Sequence, residues 1–174
     1  MVMENISTRS GTVPGAGRDR PDAQLRELTG YCLRRTTATV MTEFNHVFSA
    51  FGLRRTTFSA LALVVDNPGM RQSQLAEALA IERPNLVQII DELEKSGCLE
   101  RKTAENDRRA YALVPTAKGR ELLRSAMAAV KKQDAKLTEG LSQLEVETLR
   151  RLLWRLQENA SSVEAPAKLK ISSL

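Results

Sequence analysis

Within residues 101–120, Arg101, Lys102, Arg108, Arg109, Lys118 and Arg120 stand against only Glu105 and Asp107, a local excess of four positive charges. Basic side chains grouped this way suit a phosphate backbone, and an arginine at the end of a projection suits a narrow minor groove, where the potential is most negative. Asp107 runs against that field, so its expected job is internal: it orients Arg101 or Arg109 through a charge-assisted pair. A second set lies upstream in "ERPNLVQ", where Arg83, Asn85 and Gln88 carry side chains that pair with guanine and adenine edges. Catalytic chemistry finds no such support. The chain has one histidine, His46, no glycine-rich phosphate loop and no paired carboxylates at a cleft-like spacing, which points away from an enzyme. Cys32 and Cys98 lie far apart without CxxC or histidine spacing, so neither a disulfide framework nor a metal site is expected, and no cofactor is implied.

The elements that must position these residues can be read from the pattern. The 174 residues are 42% hydrophobic and only 4% aromatic, with many Leu, Ala, Arg and Glu, which favours one mostly helical domain with a small β component. The net charge of +5 and a pI near 9.5 are compatible with a polyanionic partner. No leader-like apolar segment opens the chain and no run approaches a membrane span, so a reducing cytoplasm is the expected compartment. Residues 1–21 read as a tail and 22–158 as the domain, with a second tail over 159–174. A long helix is expected from Asp22 to Phe51, started by Pro21 and Asp22 and stopped by Gly52. Leu25, Leu28 and Cys32 mark one of its faces; Leu33, Val40, Phe44, Val47, Phe48 and Phe51 mark another. A second helix spans Arg55–Val65 and ends at "DNPG".

Met70 to Lys102 is the most informative stretch. Leu75, Ala76 and Leu79 give the inner face of a short helix, Ala80 and Ile81 a tight turn, and Pro84 the first turn of a second helix. That helix turns Leu86, Ile89, Ile90 and Leu93 inward and stops at Gly97, leaving Arg83, Asn85, Val87 and Gln88 on or near its outer face. Two short helices on such a turn make a helix-turn-helix, whose second helix enters the major groove by its N-terminal turns. "CLERKT" and "AYALVP" then flank "AENDRR" as the strands of a β-hairpin wing. Thr116 caps a helix to about Glu139, Gly140 breaks it, and Ser142 with Glu145 forms a capping box for a last helix to about Gln157. The apolar faces of the terminal helices, about 22–51 and 117–158, enclose no further domain and so call for a partner subunit.

This order of elements, with "LAEALAIERPNLVQIIDELEKSGCLERK", Asp107-Arg108-Arg109 at the wing and "TAKG" after it, resembles the MarR family of bacterial transcription regulators over about Asp22 to Gln157. The resemblance implies a winged helix-turn-helix lobe over about 54–116 and a dimerisation lobe formed by the N- and C-terminal helices. It implies a homodimer that binds palindromic double-stranded DNA, usually as a repressor, and is released by a small molecule or an oxidant. Carried over by position, the DNA contacts fall on Arg83, Pro84, Asn85 and Gln88 at the start of the recognition helix and on Arg109 at the wing tip. Arg108 and Arg101 would meet phosphates, and Gln72 and Ser73 would position the backbone. The chain departs from the family pattern at Arg54, where a capping Thr or Ser is usual, and at Pro115, where Leu is usual. The first leaves the start of the second helix open; the second predicts a returning strand that ends early, because proline lacks a ladder donor.

The effector is expected near the first helix, where Arg35, Thr39, Glu43 and His46 continue an apolar stripe at helical spacing. In the resembled family this region often holds aromatic acids or their CoA thioesters. Arg34, Arg35, Thr39, Glu43, His46 and Phe58 are the candidate contacts. A thiol-based redox sensor at Cys32 is the alternative, set against Cys32 as a buried structural cysteine; a winged helix used for protein docking is another.

Overall fold

The computed structural model describes the backbone of residues 21–104 and 107–162, and the side chains of these residues except 104 and 107–110. Over the described residues the fold is mostly helical, with one two-stranded antiparallel sheet. Both flanking tails of the sequence reading lie largely outside this range.

The first helix is shorter than its apolar pattern suggests. Asp22 does not cap an α-helix; a 3-10 turn occupies Leu25–Glu27, Leu28 is extended, and α1 runs over Thr29–Ser49. The Asp22 carboxylate bends back instead, accepting hydrogen bonds from Arg26 Nε at 2.9 Å and Tyr31 Oη at 2.7 Å. Gly52, at φ +64°, makes the left-handed turn into α2, Arg55–Asp66. Arg54 sits in the N-cap position but offers no acceptor. Thr57 supplies what the cap lacks: its hydroxyl accepts from the Arg54 amide at 2.8 Å and donates to the Arg54 carbonyl at 2.9 Å. The open start of the second helix is thereby settled at Arg55.

The helix-turn-helix forms as expected, with α3 over Gln72–Leu79 and α4 over Arg83–Lys95. Ala80 takes the left-handed conformation at φ 51°, which lets the Ile81 amide reach the Ala76 carbonyl and turns the chain. Leu75, Leu86, Ile90 and Leu93 pack with Leu61 and Val64 of α2 in one core. Each such side chain contributes about 1.5–3 kcal/mol of burial.

The wing consists of β1, Leu99–Ala104, and β2, Asp107–Pro115, paired from Leu99↔Pro115 to Thr103↔Tyr111 with an irregularity before Ala104↔Asp107. The strand does not end early at Pro115. The Thr116 amide bonds to the Cys98 carbonyl, so Leu99 and Pro115 form a non-hydrogen-bonded pair, and the missing proline N–H faces away from β1. The register also corrects the wing tip: Arg108 and Arg109 fall within β2, not in the turn. Their side chains, and that of Asp107, lie outside the described residues.

Thr116 caps α5, Ala117–Leu137, by accepting from the Gly119 amide at 3.0 Å, and its hydroxyl donates to the Gly97 carbonyl at 2.7 Å. Gly119 packs directly on β1's approach: a Cβ there would lie 2.0 Å from the Cys98 carbonyl oxygen. The chain divides into two compact units at Val130. In the second, Gly140 turns at φ +86° and the Ser142–Glu145 capping box forms, with the Glu145 carboxylate accepting from the Ser142 amide at 2.8 Å. Hydrogen bonds from the Ser142 hydroxyl and amide hold the Glu145 carboxyl below its ordinary pKa. The last helix, α6, runs over Gln143–Ser162, beyond the expected end at Gln157. Leu144, Leu149, Leu152, Leu153, Trp154 and Leu156 are all exposed on it.

Candidate nucleic-acid interface

The N-terminal ends of α3 and α4 open onto one concavity of about 370 Å³, which Tyr111 of β2 also lines. Arg71, Gln72 and Ser73 enter it from α3 and Arg83 and Val87 from α4, with buried Leu86 as its floor. The sequence places both ends together because the core-facing leucines and isoleucines of the two helices fix the turn between them. The exposed positions at the start of each helix are left to project. Of the expected contacts, Gln72, Ser73 and Arg83 line the concavity. Pro84, Asn85 and Gln88 are exposed on the same first turns of α4 without lining it. The guanidinium groups of Arg71 and Arg83 have no ion-pair or hydrogen-bond partner among the described residues. The unpaired donors and the helix N-termini together make an anion-seeking surface.

Besides the buried Leu86, three lining residues were not named as contacts in the sequence. Arg71 is the N-cap of α3, and its amide donates to Gln74 Oε1 at 2.8 Å, a capping spacing readable in "RQSQ". Val87 was on the outer face but carries no polar group. Tyr111 shares its strand period with buried Leu113 and Pro115, so alternation assigns it to the core. It extends past the core edge and is 55% exposed.

Arg101 is placed differently from the other basic candidates. Its guanidinium forms ion pairs with both Asp91 and Glu94 of α4, and its amide reaches Glu94 at 3.4 Å. Asp91 and Glu94 thus hold Arg101, one of the two guanidinium groups that Asp107 was expected to orient; the other, on Arg109, lies with the Asp107 side chain outside the described residues. Lys118 is also engaged, its ammonium donating to the Ser96 carbonyl at the C-terminal end of α4 at 2.7 Å. Two of the six local cations therefore serve the fold.

The expected effector residues are spread out. Arg35 Nη1 lies 3.1 Å from Asp22 and 3.3 Å from Tyr31 Oη, and Arg34 stacks over the Tyr31 ring at 5.2 Å. Hydrogen bonds from Arg26 and then Tyr31 pull the Asp22 pKa down to about 2; the Tyr31 contact is the first cause of a raised value for Arg35. Thr39 donates to the Arg35 carbonyl at 3.3 Å, while Glu43 and His46 are exposed. Phe58 is buried in the core, its ring 4.9 Å from that of Phe48. A cleft of about 460 Å³ lies between the end of α1 and the start of α2, lined by Asn45, Phe48, Leu53 and Arg55 among others, and by none of the expected residues. Cys32 is exposed, not buried, with Sγ 3.2 Å from the Arg26 carbonyl, whereas Cys98 is buried. Among the described residues no cluster of His, Cys, Asp and Glu could hold a metal ion, and no helix is long and apolar enough to cross a membrane.

The comparisons with known proteins agree on one group. The sequence model described as MarR family matches residues 51–110. A candidate transcriptional regulatory protein for the hcr operon of Thauera aromatica is 33% identical over 142 residues, covering 81% of this chain and 84% of that protein. This chain belongs to the MarR family. Among solved structures, the transcriptional repressor CouR bound to a 23-mer DNA duplex is 34% identical with a TM-score of 0.76, covering 80% of this chain and 99% of that one. CouR from Rhodococcus jostii RHA1 bound to p-coumaroyl-CoA is 27% identical with a TM-score of 0.70, covering 81% and 97%. The winged helix-turn-helix is thus the fold of a family of transcriptional regulators, not of enzymes.

Proposed function

We propose that this chain is a cytoplasmic transcriptional repressor that binds an inverted-repeat operator as a homodimer and is released by an aromatic acyl-CoA. The observation that carries the reading is the concavity where Arg71, Gln72, Ser73 and Arg83 converge with uncommitted donors at two helix N-termini. Arg83, Asn85 and Gln88 would read base edges; Gln72, Ser73, Arg71 and Arg108 would hold the backbone, and Arg109 would probe the minor groove. The likeness to CouR bound to duplex DNA supports the partner. The likeness to CouR bound to p-coumaroyl-CoA supports the effector class. The exposed leucines of α6 and, separately, Leu25, Leu28 and Leu33 supply apolar surface for a second copy. Arg34 and Arg35 offer guanidinium groups to the anionic end of the effector. Release needs only that the effector bind the DNA-incompetent arrangement more tightly than the competent one.

A gel shift with DNA from upstream of its own gene, repeated with aromatic acids, their CoA thioesters and peroxide, tests the reading. Retardation that salt weakens and an aromatic acyl-CoA abolishes is the expected result. Release by peroxide alone would move the sensor to Cys32, and failure to bind any duplex at low salt would leave protein docking as the use of the fold.

A further inference from the structure

Apart from Pro84, which the first turn of the helix accounts for, the exposed face of the recognition helix carries one group that hydrogen bonding does not explain. Val87 is 43% exposed, yet its neighbours on the outer face, Arg83, Asn85 and Gln88, are all polar. A β-branched residue lowers helix propensity and gains nothing back from packing when it faces water. A single exposed valine is ordinary on a convex surface. This one lines the concavity that also holds Arg83 and Arg71, four residues after Arg83 and so on the same face of α4. Its stiff χ1 holds two methyl groups out at a fixed angle. The apolar group that a major groove offers to such a surface is the 5-methyl of a pyrimidine, thymine in ordinary DNA.

We infer that Val87 is a specificity-determining residue that packs on a pyrimidine 5-methyl group in each half-site, close to the base pair read by Arg83. The inference rests on the proposed DNA-binding function and refines it. Four residues of helix rise about 6 Å, close to two base-pair steps of about 3.4 Å each. The methyl therefore lies one or two steps from the Arg83 contact. Apolar contact adds discrimination without any donor or acceptor, so its loss should leave every hydrogen bond of the interface in place.

The experiment uses the full chain and the tightest duplex it selects from a randomised pool. Each thymine of that duplex is replaced in turn by uracil, which deletes the methyl alone. At one symmetry-related position the wild type should bind about fourfold more weakly per half-site, the value of one buried methyl-sized group. Val87→Ala should bind the thymine duplex more weakly by a similar factor and no longer distinguish thymine from uracil there. If the selected base is cytosine, its 5-methylation should strengthen wild-type binding and leave Val87→Ala unmoved. A melting temperature no lower than that of the wild type in Val87→Ala shows that its fold is intact, as the exposure of the side chain and the higher helix propensity of alanine predict. Wild-type affinity indifferent to the methyl at every pyrimidine, or a methyl effect that persists in Val87→Ala, overturns the inference with DNA binding still standing. A chain that selects no duplex removes the proposed function along with it.

Discussion

The two halves of α4 are built for opposite ends. Its C-terminal half is clamped: Asp91 and Glu94 hold Arg101 of β1, Glu92 holds Arg54 before α2, and the Ser96 carbonyl takes the Lys118 ammonium. Its N-terminal half presents Arg83, Asn85, Val87 and Gln88, all exposed, and none of them forms an ion pair among the described residues. A helix that must probe a groove needs one end fixed, because a contact made by a loosely held side chain loses its gain to ordering entropy. The difference teaches that positive charge in this lobe divides into structural and recognising sets, and that local charge density alone does not separate them.

The comparison breaks most severely where the clamp meets the backbone. Gly119→Ala places a Cβ against the backbone carbonyl of Cys98, with no flexible side chain to give way. Denaturant unfolding should show a loss of about 3 kcal/mol, and stability within error of the wild type would mean that α5 and β1 are not held as described. Arg101→Ala sharpens it. Two half-exposed carboxylates lose their partner, so stability should fall by about 1 kcal/mol, while the base preference of any bound duplex stays the same. A changed preference would move Arg101 into the recognising set.

The smallest effect concerns α1, which has its own clamp at Asp22. Arg26 and Tyr31 hold that carboxyl near a pKa of about 2, below its ordinary 3.8. A depressed folded-state value means that the contact stabilises the turn above about pH 4 and is lost as pH falls through 2. Carboxyl titration followed by NMR should place the Asp22 midpoint near 2. A midpoint near 4 would show that the turn is not tied to Arg26 and Tyr31.

Much of this was legible in the residues. The helix-turn-helix followed from the spacing of Leu75, Leu86, Ile90 and Leu93 around Ala80 and Pro84, and the caps at Thr116 and Ser142 followed from side-chain chemistry within three residues. These are local features, and local rules find them. What the sequence hid depends on distant partners. Asp22 looked like a helix cap because its competition among Arg26, Tyr31 and Arg35 spans thirteen residues. Arg101 and Lys118 looked like DNA contacts because their acceptors lie on α4. Pro115 looked like a strand terminator, since only the pairing phase decides which way its nitrogen faces. Tyr111 drew no role from its place in "AYALVP", because strand alternation carries no information on where the core ends.

The central claim is that the free half of α4 reads sequence, and Arg83 tests it most directly. Selection from a randomised duplex pool should yield an inverted repeat for the wild type. For Arg83→Ala it should yield the same repeat with one symmetric position relaxed, and binding at that position should weaken by about 1–3 kcal/mol. An identical preference in both proteins, or no inverted repeat in either, would contradict the account.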